Sequence, residues 1–157
     1  MDVVVCSMGL MVLAPLREVL AEIGRVLVPC GVLVAMVPGR RPLRWTDFAV
    51  AGGLLAALGA GLGYPGDRLL RRLPDLLAQA GLRLDGDERR RYRYRLRARA
   101  DADLLAASLY LPGLPPSRRR RARGYLRALR LLHAEAPMPI RRIVAHRPQA
   151  VDWQRGR

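Results

Sequence analysis

Two kinds of apolar pattern alternate along the first part of the chain. Residues 2–8 and residues 31–38 are short and almost continuously apolar, which is typical of strands buried in a parallel sheet. Between them, apolar side chains recur every three or four positions, which predicts a helix; they are Leu16, Val19, Leu20, Ile23, Val26 and Leu27. A strand, a helix and a strand of this length predict the right-handed crossover unit of a parallel sheet.

The pattern farther along the chain predicts a mixed α/β fold. An apolar stripe over residues 67–80 predicts a helix, which Pro74 should kink or split. Residues 82–84 begin a further strand. Residues 88–97 alternate strictly, with Tyr92, Tyr94 and Leu96 on one face and arginines on the other, and this predicts a half-buried antiparallel strand.

The last third of the chain predicts helices followed by a strand. Residues 101–111 form a short helical pattern, and a basic helix follows over residues 117–132. Residues 140–145 predict the last strand, and residues 148–157 a terminal tail.

The apolar segment at residues 49–64 is the one candidate for a membrane span. It contains five glycines and is poorly periodic, and it is shorter than the ~20 residues that a span requires. We therefore expect no membrane span here, but a loosened helix or a loop that covers a pocket. The N-terminus also has no basic segment or cleavage site of a signal peptide.

Charge and cysteine content narrow the function classes. The net charge is +15, and all 28 basic residues are arginine. Abundant arginine, alanine, glycine and proline without any lysine or asparagine is what GC-rich codons produce, so we attribute most of this charge to coding bias and a solvated surface. Cys6 and Cys30 match no disulfide framework and no metal-ligand spacing, so we expect no metal and a cytoplasmic protein with reduced thiols.

Several segments, in order, resemble the second half of the class I S-adenosylmethionine-dependent methyltransferases of the small-molecule type. Residues 2–10 (DVVVCSMGL) match the fourth strand of that family and the loop after it. Residues 16–27 match its L-x-E-x-x-R-V-L helix, and residues 28–34 (VPCGVLV) match its turn into the fifth strand. Residues 76–84 resemble the last crossover helix entering the sixth strand, and residues 140–145 resemble the antiparallel seventh.

The resemblance implies a partial Rossmann-like fold, with strands 4 to 7 of a mostly parallel sheet, one antiparallel strand and a helical cap. Residues 39–64 and 101–136, which the sheet does not need, would form the cap. The family's glycine-rich loop and its ribose-binding acidic residue precede the matching region. We therefore expect residues 1–157 to be a single incomplete domain without the N-terminal cofactor-binding half. Cys30 stands where the family has a turn glycine.

The resemblance also implies where ligands would lie. The cofactor S-adenosylmethionine would contact Cys6, Ser7 and Met8, because ligands of open α/β sheets bind outside the carboxyl ends of the strands. Four residues would face a small-molecule methyl acceptor: Pro38, Trp45, Phe48 and Tyr64. Core packing is the alternative for Cys6, Met8 and the aromatic residues. No Ser-His-Asp or paired-carboxylate arrangement is legible, so we predict no catalytic residue.

Three functions are compatible with these patterns. The first, which we expect, is methyl transfer from S-adenosylmethionine to an oxygen, nitrogen or carbon atom of a small molecule, by a truncated domain that needs its missing half. The second is an inactive accessory half that pairs with a partner chain, or with itself, through the exposed first strand. The third is a basic protein that binds nucleic acid or a membrane surface through the arginines of residues 118–130.

Overall fold

The computed structural model describes residues 1–41, 43–59, 61, 63–109 and 111–149. These residues form the following elements in chain order: β1 (Val3–Ser7), α1 (Leu16–Val26), β2 (Val32–Pro38), α2 (Trp45–Leu58), α3 (Asp67–Leu70), α4 (Leu73–Gln79), β3 (Arg83–Arg95), α5 (Arg99–Ser108), α6 (Pro116–Leu131) and β4 (Glu135–His146). Most of the predicted tail, residues 150–157, lies outside the described residues. Among the helices that are described, none has the length and apolar character to cross a membrane.

The described strands form one mixed sheet in the order β1-β2-β4-β3. β1 and β2 pair in parallel, with Ser7 opposite Met36, and α1 connects them. β4 pairs with β2 in the opposite direction, with Val144 opposite Val34. The predicted fold class is therefore confirmed: the protein has a partial Rossmann-like α/β sheet, and its last strand is antiparallel.

The first of two compact units contains residues 1–39, 64–90 and the described part of 140–157. The alternating pattern of the strands turns one sheet face towards α1 and α4, and five side chains of that face are buried: Leu33, Ala35, Val37, Ile143 and Ala145. Leu16, Leu20 and Ile23 supply the buried stripe of α1, as the sequence predicts. Gly24 lets α1 approach α4 closely, because a Cβ at this position would collide with the carbonyl oxygen of Ala80.

The helix predicted over residues 67–80 is divided, as expected from Pro74. The division produces α3 and α4, and Pro74 lies in the first turn of α4, where its missing N–H has no helical partner to lose. The predicted start of a strand at residues 82–84 and the separate strand at 88–97 are wrong as two elements, because β3 is continuous from Arg83 to Arg95. Ion pairs with β4 hold the turn-like stretch between them: Asp87 binds Arg141, and Glu88 binds Arg142.

The bounds of α5, the start of β4 and the burial of Tyr92 also differ from the prediction. α5 runs from Arg99 to Ser108 instead of over residues 101–111, and Tyr110 lies outside the described residues. β4 begins at Glu135 instead of residue 140. Tyr92 is exposed although Leu96 on the same predicted face is buried, because Leu96 belongs to a second core and Tyr92 does not.

The second compact unit contains residues 40–63 and 91–139, as far as they are described. Its core is formed by Leu96, Ala102, Leu105, Leu126, Leu129 and Ala136. Most of the predicted cap segments, residues 39–64 and 101–136, fall in this unit. The segment expected to be a loosened helix or loop is α2, which ends at Gly59 in the left-handed conformation with φ 62°. Val50 and Leu54 on one side of α2 pack against this core.

Candidate functional site

Cys6, Ser7 and Met8 lie together at the carboxyl end of β1, which is an edge strand of the described sheet. The N–H of Met8 donates to the carbonyl oxygen of Met36 at 2.8 Å, and the N–H of Val32 donates to Asp2 at the other end of the ladder. Because alternate residues of a parallel strand bond to each neighbour, the backbone of residues 3, 5 and 7 faces the open edge. Ser7 is exposed, whereas Cys6 and Met8 are half-buried against the first core.

The turn after β1 has an unusual backbone. Met8 has φ 58°, a left-handed conformation that residues with a side chain seldom adopt. A Cβ at the next residue, Gly9, would lie 2.7 Å from the Sγ of Cys6, so a larger residue here would have to displace the Cys6 side chain. Backbone strain of this kind clusters at ligand-binding positions. The sequence predicted Cys6, Ser7 and Met8 as site residues, but no sequence pattern indicated the strained conformation of Met8.

Two of the predicted acceptor residues lie in the same unit as this corner. Pro38 ends β2, and because β1 and β2 are parallel, it lies at the same end of the sheet as Ser7. Tyr64 is half-buried against the first core, and burial raises the pKa of its phenol. The N–H of Gly66, two residues later, donates to the carbonyl oxygen of Met11 at 3.0 Å. The segment after Tyr64 is thus bound to the loop that follows Met8 and Gly9.

The other two acceptor residues belong to the second unit. Trp45 and Phe48 lie three residues apart on α2, and both are exposed. Met36 is a neighbour of the β1 corner that the sequence reasoning did not name. The strand register would have identified it, because Met36 is the residue directly opposite Ser7.

Three of the seven arginines of α6 form hydrogen bonds within the second unit. Arg118 donates to the carbonyl oxygen of Gly59 at 3.1 Å, and Arg119 donates to that of Leu111 at 2.9 Å. Arg127 makes two hydrogen bonds to Asp103, of 2.8 and 2.7 Å. These bonds lower the pKa of Asp103. These arginines of α6 therefore have a structural role. Arg120 and Arg121 of the same helix are exposed.

S-adenosylmethionine, the cofactor that the sequence resemblance implies, would need hydrogen-bonding groups and an apolar wall at the β1 corner. At the edge of the described sheet, the backbone of residues 3, 5 and 7 offers N–H and C=O groups that have no strand partner. The half-buried side chains of Cys6 and Met8 offer an apolar wall. The corner residues bring no carboxylate for the ribose, so they account for only part of such a site.

No protein-family model matches the sequence, and no curated protein is similar to it. The solved structures with a similar fold include the [4+2]-cyclase SpnF, with 18% identity and a TM-score of 0.47, where the match covers 94% of this chain and 51% of the other. They also include two candidate methyltransferases at 12% identity. One, from Galdieria sulphuraria, is named for sarcosine and dimethylglycine, with a TM-score of 0.46 and coverage of 96% and 54%.

The other, from Bacillus halodurans, has a TM-score of 0.47, with coverage of 94% and 64%. The chain thus spans half to two-thirds of the length of these three structures.

Proposed function

We propose that this chain is part of an S-adenosylmethionine-dependent methyltransferase that acts on a small molecule. The observation that carries the proposal is the strained turn of Met8 and Gly9 at the carboxyl end of an edge strand, the end of an open α/β sheet where ligands bind. The sequence resemblance over residues 2–34 supports it. Both cysteines are free thiols, which suits work in the reducing cytoplasm.

The chain's own residues would bind and orient the reactants. S-adenosylmethionine, when bound, supplies a sulfonium methyl group that a nucleophile on the acceptor can displace. Cys6 and Met8 would exclude water from one side of the site, and the hydroxyl of Ser7 would offer a hydrogen bond. Such a transfer depends chiefly on holding donor and acceptor close and aligned in a water-poor site. We assign contact with an apolar part of the acceptor to Pro38 and Tyr64, which belong to the same unit as the corner.

The test measures the binding of S-adenosylmethionine by calorimetry. It uses the protein purified from its native host, whose mass is compared with the 17.5 kDa of this chain. Ser7→Trp would fill the corner without disturbing the core, because Ser7 is exposed. Leu131→Trp, at an exposed position of α6, is the matched control. We expect Ser7→Trp to lose at least ~10-fold in affinity and the control to lose nothing. Equal affinities of the two variants, or no binding by a native protein heavier than 17.5 kDa, would contradict the proposal.

The open edge of β1 also favours an accessory role, in which the sheet is completed by another strand. Val3 and Val5 are exposed on β1, and unpaired strand edges with apolar side chains tend to recruit further strands. Light scattering during gel filtration distinguishes a partner chain or a second copy from a monomer. A Val5→Lys variant should dissociate such an assembly. A monomer that binds S-adenosylmethionine would exclude the accessory role.

A further inference from the structure

α2 and α6 pack as an antiparallel helix pair in the second unit. The hydroxyl of Tyr125 donates to the carbonyl oxygen of Val50 at 3.1 Å, near the middle of both helices. The hydrogen bond from Arg118 to Gly59 joins the start of α6 to the end of α2. The start of α2 and the end of α6 therefore lie at the same end of the pair.

Four large apolar side chains are exposed at that shared end. Trp45 is 84% exposed and Phe48 is 60% exposed, both near the start of α2. Leu131 and Leu132, at the end of α6, are 67% and 75% exposed. We call these four residues the apolar tip. Such a concentration of exposed aromatic and leucine side chains marks an interaction surface, whereas scattered single ones do not.

Asp47 fixes the orientation of the aromatic side chains. It lies between Trp45 and Phe48 in the first turn of α2, but it is buried and bound to Arg91. Because Asp47 is anchored on the inner side of the turn, Trp45 and Phe48 are held on the outer side. Their exposure is therefore built into the helix and does not depend on a flexible segment.

The charge around the apolar tip selects its partner. The second unit as a whole contains 15 arginines and four acidic residues, although its run of four arginines at residues 118–121 lies at the opposite end of the helix pair. Arg41 and Arg44, both exposed, lie just before Trp45 in the sequence. Tryptophan prefers the headgroup level of a bilayer, leucine and phenylalanine prefer the acyl region, and arginine binds anionic headgroups. Nucleic acid would satisfy the arginines but would leave both leucines in water.

We propose that the apolar tip docks on the surface of a membrane that contains anionic lipids, with Trp45, Phe48, Leu131 and Leu132 inserted and the neighbouring arginines at the headgroups. The apolar tip shares no residue with the corner at Cys6–Met8, and the proposal does not rest on methyl transfer. It differs from the arginine-based binding considered from the sequence, because its affinity depends on the four apolar side chains.

The experiment uses the full chain with Trp153→Phe, so that Trp45 is the only tryptophan. The protein is mixed with phosphatidylcholine vesicles, with or without about one-third phosphatidylglycerol, a content high enough to give a negative surface potential. We expect co-sedimentation with the anionic vesicles only. The emission of Trp45 should shift to shorter wavelength, and lipids brominated in the acyl chain should quench it.

Three double variants separate insertion from adsorption by charge. Phe48→Ser with Leu131→Ser, and Leu131→Ser with Leu132→Ser, should each weaken vesicle binding at least ~10-fold. Val3→Ser with Val5→Ser removes two exposed apolar side chains of β1 and should bind as well as the parent. Equal binding by all variants, or binding without a change in Trp45 emission, would overturn the proposal. Tighter binding to polyuridylate RNA than to the vesicles, with the same loss in the tip variants, would also overturn it.

Discussion

The guanidinium of Arg91 holds the carboxylate of Asp47 with two hydrogen bonds, from Nε at 2.6 Å and from Nη2 at 2.5 Å. The same carboxylate accepts the backbone N–H of Arg44 at 2.7 Å, at the beginning of α2. Asp47 is only 4% exposed. Its carboxylate therefore has two roles: it caps α2, and it forms a buried ion pair with Arg91. It joins α2 to the end of β3, which are far apart in the sequence.

Replacing Asp47 by alanine should destabilise the protein strongly. The change removes a helix cap and leaves the Arg91 guanidinium without its buried partner, and we expect a loss of about 3 kcal/mol in the free energy of unfolding. Urea unfolding of the variant and the parent measures it. Asp101→Ala is the matched control, because Asp101 also caps a helix, accepting two backbone N–H groups at the start of α5, but is less buried. The control should lose only about 1 kcal/mol. Equal losses would show that Arg91 adds nothing.

Stability should fall in acid because of two paired carboxylates. Hydrogen bonds from Arg91 lower the pKa of Asp47, and hydrogen bonds from Arg141 lower that of Asp87. A carboxyl group with a lowered pKa in the folded state contributes stability above its unfolded pKa of about 3.9. That contribution disappears as the pH falls through the lower, folded pKa.

The free energy of unfolding should therefore change little between about pH 7 and pH 5, and should decrease below about pH 4. Asp87→Asn should flatten this decrease, because asparagine does not titrate in this range. A steeper decrease in Asp87→Asn than in the parent would contradict the assignment. Glu22→Gln is a suitable control, because the Glu22 and Arg25 pair is exposed.

The parts of the fold that the sequence predicts are those determined by local pattern. The strand, helix and strand of residues 2–38 were predicted because burial on one or two faces imposes a clear period. Pro74 marked the division between α3 and α4, because its ring cannot continue a helix interior. By contrast, residues 84–88 have the composition of a turn, and they belong to a strand because they lie beside β4, where Asp87 and Glu88 pair with Arg141 and Arg142.

The candidate site was predicted only where local sequence pattern determines it. Cys6, Ser7 and Met8 were placed at a strand end by their position after an apolar run, and the structure places them there. The conformation of Met8 was not predictable, because it depends on how Gly9 and Met11 are held by the rest of the first unit. Trp45 and Phe48 were selected as aromatic residues near an apolar helix, a pattern that does not distinguish an acceptor site from a docking surface.

Gly24→Ala should destabilise the first unit. A methyl group at this position in α1 would collide with the backbone of Ala80, which cannot move without shifting α4. We expect a loss of about 2 kcal/mol, measured by thermal or urea unfolding. Gly124→Ala provides the comparison, because Gly124 lies inside α6 with open space around it. There the better helix propensity of alanine should add about 0.5–1 kcal/mol. Stabilisation by both substitutions would show that α1 and α4 are not in close contact.

Arg147→Ala should weaken the end of α1. The Nη1 of Arg147 donates to the carbonyl oxygens of Leu27 at 2.6 Å and Gly24 at 3.1 Å, where the last turn of the helix has no further N–H partners. A cation at this end also interacts favourably with the helix dipole. We expect the substitution to lower the free energy of unfolding by about 1–2 kcal/mol. Arg147→Lys should restore part of it, since an ammonium group can reach fewer of the carbonyls. No loss in Arg147→Ala would mean that water satisfies them equally well.

Cys30→Gly should stabilise the protein. Cys30 occupies the turn position where the methyltransferase family that the sequence resembles has glycine. It is held in the left-handed conformation with φ 64°. Relief of about 1–2 kcal/mol of backbone strain is offset by the greater freedom of glycine in the unfolded chain, about 0.4–1 kcal/mol. We therefore expect a net gain of about 0.5–1 kcal/mol in urea unfolding.

The reverse substitution tests the same conformational argument. Gly81 has φ 69° and open space around it, so Gly81→Ala introduces strain without a collision. It should cost about 1–2 kcal/mol. If Cys30→Gly is neutral while Gly81→Ala is costly, the side chain of Cys30 must contribute packing that offsets its strain, and the turn into β2 does not require glycine.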